Sequence, residues 1–257
     1  MAAAAQFQRY LRQRAQSGRE VVALSPFTLF LHPKSEADES SYAIPDAPPA
    51  GDPGDALAAL CAAFSRRGRR PRVEFVAEYA PGLGAALRAA GFAEVARQDL
   101  LACTPESFRP AAPVPGLTVD ILDAASPAAA LREGFETNAV AFDDPGAVPA
   151  ADEAVERWRR ELVEGRAFTV RLDGRAAGAG MLTAPLDSLA ELVGVGTLAP
   201  FRRRGVASAL TSTAVQTAFE RGLCVVFLTT DDPGARRVYE RVGFRPTATV
   251  LAYAGPR

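Results

Sequence analysis

The chain has 257 residues, of which 48% are hydrophobic and 23% are charged, and its formal net charge is −1. This composition is typical of a globular protein with one large or two modest domains. The near-zero net charge does not indicate a broadly basic nucleic-acid surface, and no apolar run approaches the roughly 20 residues that cross a bilayer. We therefore expect neither a nucleic acid nor a membrane as a partner.

The cysteines and the histidine limit the redox and metal chemistry. Cys61, Cys103 and Cys224 are far apart and odd in number, which favours reduced thiols in a cytoplasmic protein over a disulfide framework. The start of the chain lacks the apolar core of a signal peptide. Because His32 is the only histidine, we expect a structural role for it, no histidine-rich metal site and no metal cofactor.

The first half of the chain begins with two strand-like runs, FTLFLHP and SYAIPD, and continues as helix, strand, helix and strand. Part of this tail, RVEFVAEYAPGLGAALRAAGFAEV, resembles CVVFLTTDDPGARRVYERVGFRPT near the other end. At one constant offset Phe75 meets Phe227, and Pro81-Gly82 meets Pro233-Gly234. The chain therefore contains an internal repeat.

A proline-rich stretch, TPESFRPAAPVPGL, separates the two copies. Its prolines disfavour both helix and strand pairing, so it is expected to be a linker. We accordingly predict a first domain at residues 1–104, a linker at 105–115 and a longer second domain at 116–257.

The second half alternates helical and strand patterns, which predicts an α/β fold with a mixed sheet. Asp173-Gly174 is a hairpin signal between two of its strands. The predicted helices are Pro127–Ala141, Ala151–Glu164, Gly205–Arg221 and Pro233–Val242. The predicted strands are Arg166–Leu172, Ala176–Ala184, Ser188–Leu198, Cys224–Thr229 and Arg245–Ala254.

Three consecutive arginines precede the third of these helices in the stretch APFRRRGVASAL. A helix N-terminus carries unpaired N–H groups and a partial positive charge, so it binds anions such as phosphate. Gly205 permits a close backbone approach, and the arginines add charge. The stretch predicts a pyrophosphate site, although a solvated loop before an ordinary helix is the alternative.

Two motifs resemble the GCN5-related N-acetyltransferases (GNAT superfamily). R-R-R-G-V-A matches the R/Q-x-x-G-x-G/A loop that binds the acetyl-CoA pyrophosphate, and D-P-G-A-R-R-V-Y-E-R-V-G-F resembles N-x-x-A-x-x-L-Y-x-x-x-G-F. The resemblance begins at Leu117, and the first half shares only its tail. It implies two tandem α/β (α+β) domains, each a mixed, mostly antiparallel sheet flanked by helices, with the N-terminal one truncated and degenerate.

The resemblance also implies how acetyl-CoA is held as acyl donor. Its pantetheine arm would pair with the strand backbone at Gly196 and Leu198, where Gly194 and Gly196 favour a bulge. A backbone N–H near Gly196 would polarise the thioester carbonyl. Asp232 replaces the family's asparagine, so it can accept but not donate a hydrogen bond. The pyrophosphate site would comprise Arg202, Arg203, Arg204, Gly205, Val206, Ala207 and Ser208.

The same resemblance assigns the proton transfers. Tyr239 stands where the family has a general acid for the departing thiolate, and Glu191, in the apolar run LAELVGVGTL, is the candidate base. Either residue could instead be structural, Tyr239 as a core aromatic and Glu191 as an edge or ion-paired residue. The implied reaction is direct attack of an amine on the thioester in a ternary complex.

The acceptor site is expected on the first two helices of the second half and the loop between them. Asn138, Phe142, Asp143 and Asp144 are candidate substrate contacts, and two acids suit a cationic amine. The alternative is that Asp143-Asp144-Pro145-Gly146 is simply a turn. The acceptor would be a small molecule or a peptide, and the protein a monomer or a homodimer.

The first half lacks the chemistry of the second. The repeat places Leu87 at the position of Tyr239, and the arginine loop becomes DAPPAGDPGDAL. Prolines offer no N–H groups, and the aspartates at 46, 52 and 55 would repel phosphate. We therefore expect a silent first half. The rival functions are a non-catalytic acyl-CoA-binding regulatory module and a scaffold that binds no cofactor, and another acyl-CoA donor also stays open.

Overall fold

The computed structural model describes residues 2–48, 51 and 53–256. The chain divides into two compact units: unit 1 comprises Met1–Leu100 and Thr247–Arg257, and unit 2 comprises Leu101–Pro246. Residues 104–116 form neither helix nor strand, in agreement with their proline content.

Unit 1 begins with a helix that the sequence analysis did not predict, because its alanines, glutamines and arginines show no obvious apolar face. The helix nevertheless buries Phe7 and Tyr10. The strand Glu20–Leu24 was not predicted either, whereas the elements after it match the two predicted strands and the helix, strand, helix, strand tail. In chain order the elements are α1 Ala2–Ala15, β1 Glu20–Leu24, β2 Phe27–Leu31, β3 Tyr42–Pro45, α2 Gly54–Ser65, β4 Arg72–Val76, α3 Leu83–Ala89 and β5 Ala93–Cys103.

The sheet of unit 1 combines antiparallel and parallel pairs. Strand β2 pairs antiparallel with β1 and β3, whereas β3 pairs parallel with β4 through Ala43 and Val73. Strand β4 also pairs antiparallel with the last strand, Arg245–Ala254. Phe27, Phe64 and Phe75 are buried in its core, where apolar burial stabilises the unit.

Gln8 of α1 bridges the ends of β3 and β4. It is only 2% exposed. Its Nε2 donates to the Pro45 carbonyl at 3.3 Å, and its Oε1 accepts from the Val76 N–H at 2.8 Å. A side-chain amide therefore occupies the gap where the two parallel strands part, which makes α1 an integral part of the unit.

Unit 2 has a sheet in the order β10-β9-β8-β7-β6. All neighbours are antiparallel except β9 and β10, which are parallel. Its elements are β6 Leu117–Leu122, α4 Ala128–Ala141, α5 Asp152–Glu161, β7 Arg166–Leu172, β8 Arg175–Leu182, β9 Leu189–Thr197, α6 Val206–Glu220, β10 Val225–Thr230 and α7 Pro233–Val242. Strand β11, Arg245–Ala254, follows them in the chain.

These elements confirm the type and order of the helices and strands predicted for the second half, with bounds that differ by at most three residues. Strand β6 was not predicted, and α5 ends at Glu161 rather than Glu164. The hairpin prediction is confirmed: Asp173 and Gly174 join β7 to β8 with φ values of 52° and 76°, as a two-residue turn with positive φ requires. The unit ends at Pro246, so most of β11 belongs to the other unit, although the sequence places it in the second domain.

Candidate functional site

Strands β9 and β10 part after three pairs. Val225 pairs with Leu189, Val226 with Ala190 and Phe227 with Glu191, but β9 continues to Thr197 and β10 to Thr230. Beyond the last pair the two strands are no longer paired, and we call the space between their facing backbone edges the cleft. An extended ligand can enter such a cleft as an added strand.

A bulge interrupts β9 inside this cleft. Ala179 pairs with Gly196 and Met181 with Val193, so β9 has one residue more than β8 between these pairs. Gly194 takes a φ of 61° there, a left-handed conformation that glycine adopts without strain. The bulge predicted from Gly194 and Gly196 is therefore present. It changes the direction in which the backbone N–H and carbonyl groups of β9 point beside the cleft.

The C-terminal turn of α4 packs directly on this bulge. Asn138 Nδ2 donates to the Gly194 carbonyl at 2.5 Å. A Cβ built on Gly196 would lie 2.7 Å from Ala141 Cβ and 3.0 Å from Phe142 Cε2. The helix can approach β9 this closely only because Gly196 has no side chain.

The three consecutive arginines lie in a turn beyond the end of β9, and we call residues 199–205 the arginine turn. Residues Ala199–Phe201 form one turn of 3-10 helix whose Phe201 is buried, while Arg202, Arg203 and Arg204 are exposed. Gly205 caps α6 with a φ of 85° and no side-chain cap, so the first N–H groups of α6 have no acceptor within the helix. Unpaired N–H groups at a helix start, with arginines beside them, are the groups that anions bind in proteins.

Two arginines of the turn have weak contacts within the protein. Arg204 lies 3.8 Å from Asp173 with both side chains exposed, and Arg202 Nε lies 3.4 Å from the Thr197 carbonyl. Exposed contacts of this length hold a side chain weakly. Both guanidinium groups can therefore turn toward an anionic ligand.

Leu198 offers less to a ligand than the sequence implied. Its N–H donates to the Ala177 carbonyl at 2.9 Å, and its carbonyl accepts from the Phe201 N–H at 2.9 Å. Only the second lone pair of that carbonyl is left for a further hydrogen bond. Leu198 therefore offers a ligand little beyond that one acceptor position.

Tyr239 of α7 is 9% exposed and packs against Phe244 with ring centroids 6.0 Å apart. Burial, and secondarily the charge of Asp232, raise the pKa of Tyr239 to about 12. Among the described residues its hydroxyl has no hydrogen-bond partner, yet it is not one of the fully buried unpaired oxygens. The phenol therefore stays protonated and its oxygen keeps a small accessible area.

Asp232 caps α7 as its sequence position predicts. Its carboxylate accepts from the Gly234 N–H at 2.6 Å, and its own N–H donates to Thr230 Oγ1 at 3.1 Å. A carboxylate has about four acceptor positions. The cap therefore leaves room for a further donor.

Glu191 lies on the opposite face of the sheet from Tyr239. Its neighbours Ala190 and Leu192 are buried in the same core cluster as Tyr239, and successive strand residues alternate between faces. The backbone of Glu191 makes hydrogen bonds with Thr183. Its carbonyl accepts from the Thr183 N–H at 3.0 Å, and its N–H donates to Thr183 Oγ1 at 3.1 Å. The structure thus places the two predicted proton-transfer residues on either side of β9.

Thr183 is a residue that the sequence analysis missed. It follows β8 and fixes the start of β9 through both its backbone and its hydroxyl. No local pattern signals this role, because the partner lies on another strand and the pairing depends on the sheet register.

The predicted acceptor residues differ in their surroundings. Phe142 is 57% exposed, and Asp143 and Asp144 are exposed in the turn that follows α4, where Asp143 has a φ of 56°. The Asn138 side chain already donates a hydrogen bond to the Gly194 carbonyl. The turn expected at residues 143–146 is present, and it carries the two carboxylates into solvent beside Phe142.

The counterpart of this site in unit 1 has different chemistry. Leu87 is fully buried in α3. Asp46 accepts from Thr28 Oγ1 at 2.6 Å and lies 2.9 Å from Arg12, and Pro53 stands at the N-cap of α2. Pro49 and Asp52 of the stretch DAPPAGDPGDAL lie outside the described residues.

Neither a grouped set of metal ligands nor a membrane-spanning helix occurs in the described part of the chain. Within it, no three His, Cys, Asp or Glu side chains are grouped so that they could hold a metal ion. No described helix combines the length and the hydropathy needed to cross a membrane.

Comparisons with known proteins agree with this geometry. The model of the acetyltransferase (GNAT) family matches residues 132–244. A GCN5-related N-acetyltransferase from Kribbella flavida is 30% identical, with a TM-score of 0.80, over 99% of this chain and 96% of that chain. A comparison with curated proteins found no match.

Two more distant solved structures share the fold. One is a tandem GNAT protein from the clavulanic acid biosynthesis pathway, 14% identical with a TM-score of 0.65, over 99% of this chain and 95% of that chain. The other is a GCN5-related N-acetyltransferase from Sphaerobacter thermophilus, 18% identical with a TM-score of 0.64, over 98% of this chain and 89% of that chain.

The fold thus defines the class of GNAT-fold proteins, some of which are tandem. The similarity to the Kribbella flavida protein over nearly the whole of both chains goes further. The chain belongs to the GCN5-related N-acetyltransferase family.

Proposed function

We propose that unit 2 transfers an acetyl group from acetyl-CoA to an amine by direct attack in a ternary complex. The observation that carries this proposal is the parting of β9 from β10, followed by the arginine turn at the end of β9. A cleft for an extended arm would lead there to a site for an anion, which is the arrangement that a CoA thioester requires.

The cofactor would bind mainly through the backbone. The pyrophosphate would lie on the N–H groups of Gly205, Ala207 and Ser208, with Val206 turned into the core. Arg202, Arg203 and Arg204 would supply charge around it. The pantetheine arm would run along β9 beside Gly196 and Leu198, with Asp232 as an acceptor from one of its amides.

The reaction forms a C–N bond and breaks the C–S bond of the thioester. The leaving thiolate would take its proton from Tyr239, which the raised pKa keeps protonated at neutral pH. A thiolate inside the cleft has lost hydration, which raises its own pKa and favours this transfer.

The amine would approach from the face of the sheet that carries Glu191. A neutral amine is needed for attack, and Glu191 would accept its proton directly or through a water molecule. Asp143 and Asp144 would attract a cationic amine, with Phe142 against its apolar part. A small-molecule or peptide amine meets these requirements.

The test is acetyl transfer by the purified protein. Acetyl-CoA is incubated with a panel of amines, thiol release is followed by absorbance, and the acetylated product is identified by mass spectrometry. We expect amine-dependent thiol release that matches product formation. Tight binding of acetyl-CoA without release for any amine would contradict the proposal and favour a regulatory acyl-CoA-binding module.

A further inference from the structure

The contact between Asn138 and Gly194 has a consequence for the cleft. Asn138 is the one polar side chain of the last turn of α4 that reaches the bulge, and its Nδ2 meets the Gly194 carbonyl at 2.5 Å. A Cβ on Gly194 would lie 3.2 Å from the same nitrogen. The side chain therefore contacts the peptide of β9 that lies in the bulge.

The orientation of that peptide follows from this contact. The bond between Gly194 and Val195 is trans, so the Val195 N–H points opposite to the Gly194 carbonyl. A Cβ on Gly180 of β8 would lie 3.4 Å from the Gly194 oxygen, which places that oxygen on the β8 side. The Val195 N–H therefore points to the other side, where β10 has parted from β9.

Glycine at position 194 makes this orientation dependent on a partner. Its φ of 61° lies in a region from which glycine can change conformation at little cost. The bulge also removes the peptide from the regular ladder with β8. If the peptide rotated, a carbonyl oxygen rather than an N–H would face the cleft and repel the thioester oxygen.

We infer that Asn138 is a positioning residue that holds the Gly194–Val195 peptide so that the Val195 N–H donates to the thioester carbonyl. This inference rests on the proposed function. It gives Asn138 a role in orienting a peptide of β9, instead of the direct contact with the acceptor that the sequence suggested. The developing negative charge of the thioester oxygen strengthens such a hydrogen bond during attack.

The test compares two ligands that differ only at the carbonyl. S-ethyl-CoA has a methylene in place of the thioester carbonyl of acetyl-CoA, and neither measurement requires turnover. Dissociation constants for both are measured with the wild type, Asn138→Asp and Asn138→Ala. Val140→Ala, an exposed change in the same turn, is the control.

We expect the wild type and the control to bind acetyl-CoA about tenfold more tightly than S-ethyl-CoA, as one hydrogen bond accounts for. Both Asn138 variants should lose this preference while keeping the affinity for S-ethyl-CoA. In the wild type, acetyl-CoA but not S-ethyl-CoA should shift the Val195 amide resonance, a measurement that does not depend on any variant.

Two results would overturn the inference in distinguishable ways. An unchanged preference in both variants, together with an unshifted Val195 amide, would remove Asn138 from this role and leave the proposed function intact. Failure of the wild type to bind either CoA compound would overturn the proposed function, and this inference with it.

Discussion

Tyr239 combines two properties that a general acid needs. Its phenol is protonated at neutral pH, although burial raises its pKa to about 12 and so makes it a weaker acid than a free tyrosine. Its hydroxyl oxygen has no partner among the described residues. A buried phenol that only filled space would gain from a hydrogen-bond partner. The unpaired hydroxyl therefore favours a role in proton transfer over a purely structural one.

Replacement of Tyr239 by phenylalanine tests this role. We expect Tyr239→Phe to lower kcat by about 10²- to 10⁴-fold, the usual contribution of a positioned acid. The affinity for acetyl-CoA should change little, because the ring that packs against Phe244 is kept. Steady-state kinetics and calorimetry measure the two effects, and a wild-type kcat would show that another group supplies the proton.

The raised pKa of Tyr239 also predicts a pH dependence of stability. The pKa of tyrosine in the unfolded state is about 10, and in the folded state it is about 12. The contribution of the protonated Tyr239 to the free energy of unfolding is therefore fully present below pH ~10 and is lost as the pH rises toward about 12. Urea unfolding of the wild type and Tyr239→Phe between pH 8 and pH 11 isolates this contribution. We expect the wild type to lose more stability than the variant over this range, and parallel curves would contradict the assignment.

Gly205 is the residue on which the anion site depends most directly. Its φ is 85°, and a Cβ there would lie 2.8 Å from Val114 Cγ2. We expect Gly205→Glu to abolish acetyl-CoA binding, because it adds strain, a steric clash and a negative charge at the pyrophosphate site. Calorimetry measures the loss.

Gly222 provides the matched control for Gly205. It follows the other end of α6 with a similar φ of 82° and nothing within 4 Å of its Cβ position. Gly222→Glu adds the same strain and charge away from the cleft, so it should keep wild-type affinity. Equal losses in both variants would mean that the effect on Gly205 is only structural.

At the scale of elements, the two units differ in what lies between two parallel strands where their pairing ends. In unit 2 the pairing of β9 with β10 ends at Glu191 and Phe227. In unit 1 the amide of Gln8 connects the ends of β3 and β4 with one donated and one accepted hydrogen bond. Helix α1 therefore fills in unit 1 the kind of gap that we propose for the cofactor in unit 2.

Gln8→Leu tests the role of this amide. The substitution keeps an apolar stem but leaves the buried Pro45 carbonyl and Val76 N–H unpaired, so we expect a loss of about 2–4 kcal/mol in the free energy of unfolding. The affinity for acetyl-CoA should stay unchanged. Gln6→Leu, exposed on the same helix, is the control, and equal stability of the two variants would contradict the role given to Gln8.

The sequence predicts those elements whose signals are local. The Asp173-Gly174 turn and the Asp232 cap lie within a few residues of the structure they form, and both are confirmed. The bond from Asn138 to Gly194 spans 56 residues, and the gap bridged by Gln8 depends on a strand register. Such long-range contacts leave no local pattern, so α1 and the role of Asn138 could not be predicted.

At the scale of the whole molecule, the internal repeat explains the fold but not the chemistry. Each half of the sequence contains a helix, strand, helix and strand in the same order, yet only the second half has a tyrosine and an arginine turn at the corresponding positions. In unit 1 Leu87 is buried and Asp46 is already paired with Arg12. We therefore propose one functional cofactor site for the entire chain.

Calorimetric titration of the full-length protein with acetyl-CoA tests this central claim most directly. The account predicts one site per chain in the wild type and no detectable binding in Gly205→Glu. Two sites per chain would show that unit 1 also binds the cofactor. No binding, or one site that survives in Gly205→Glu, would contradict the assignment of the arginine turn of unit 2 as the cofactor site.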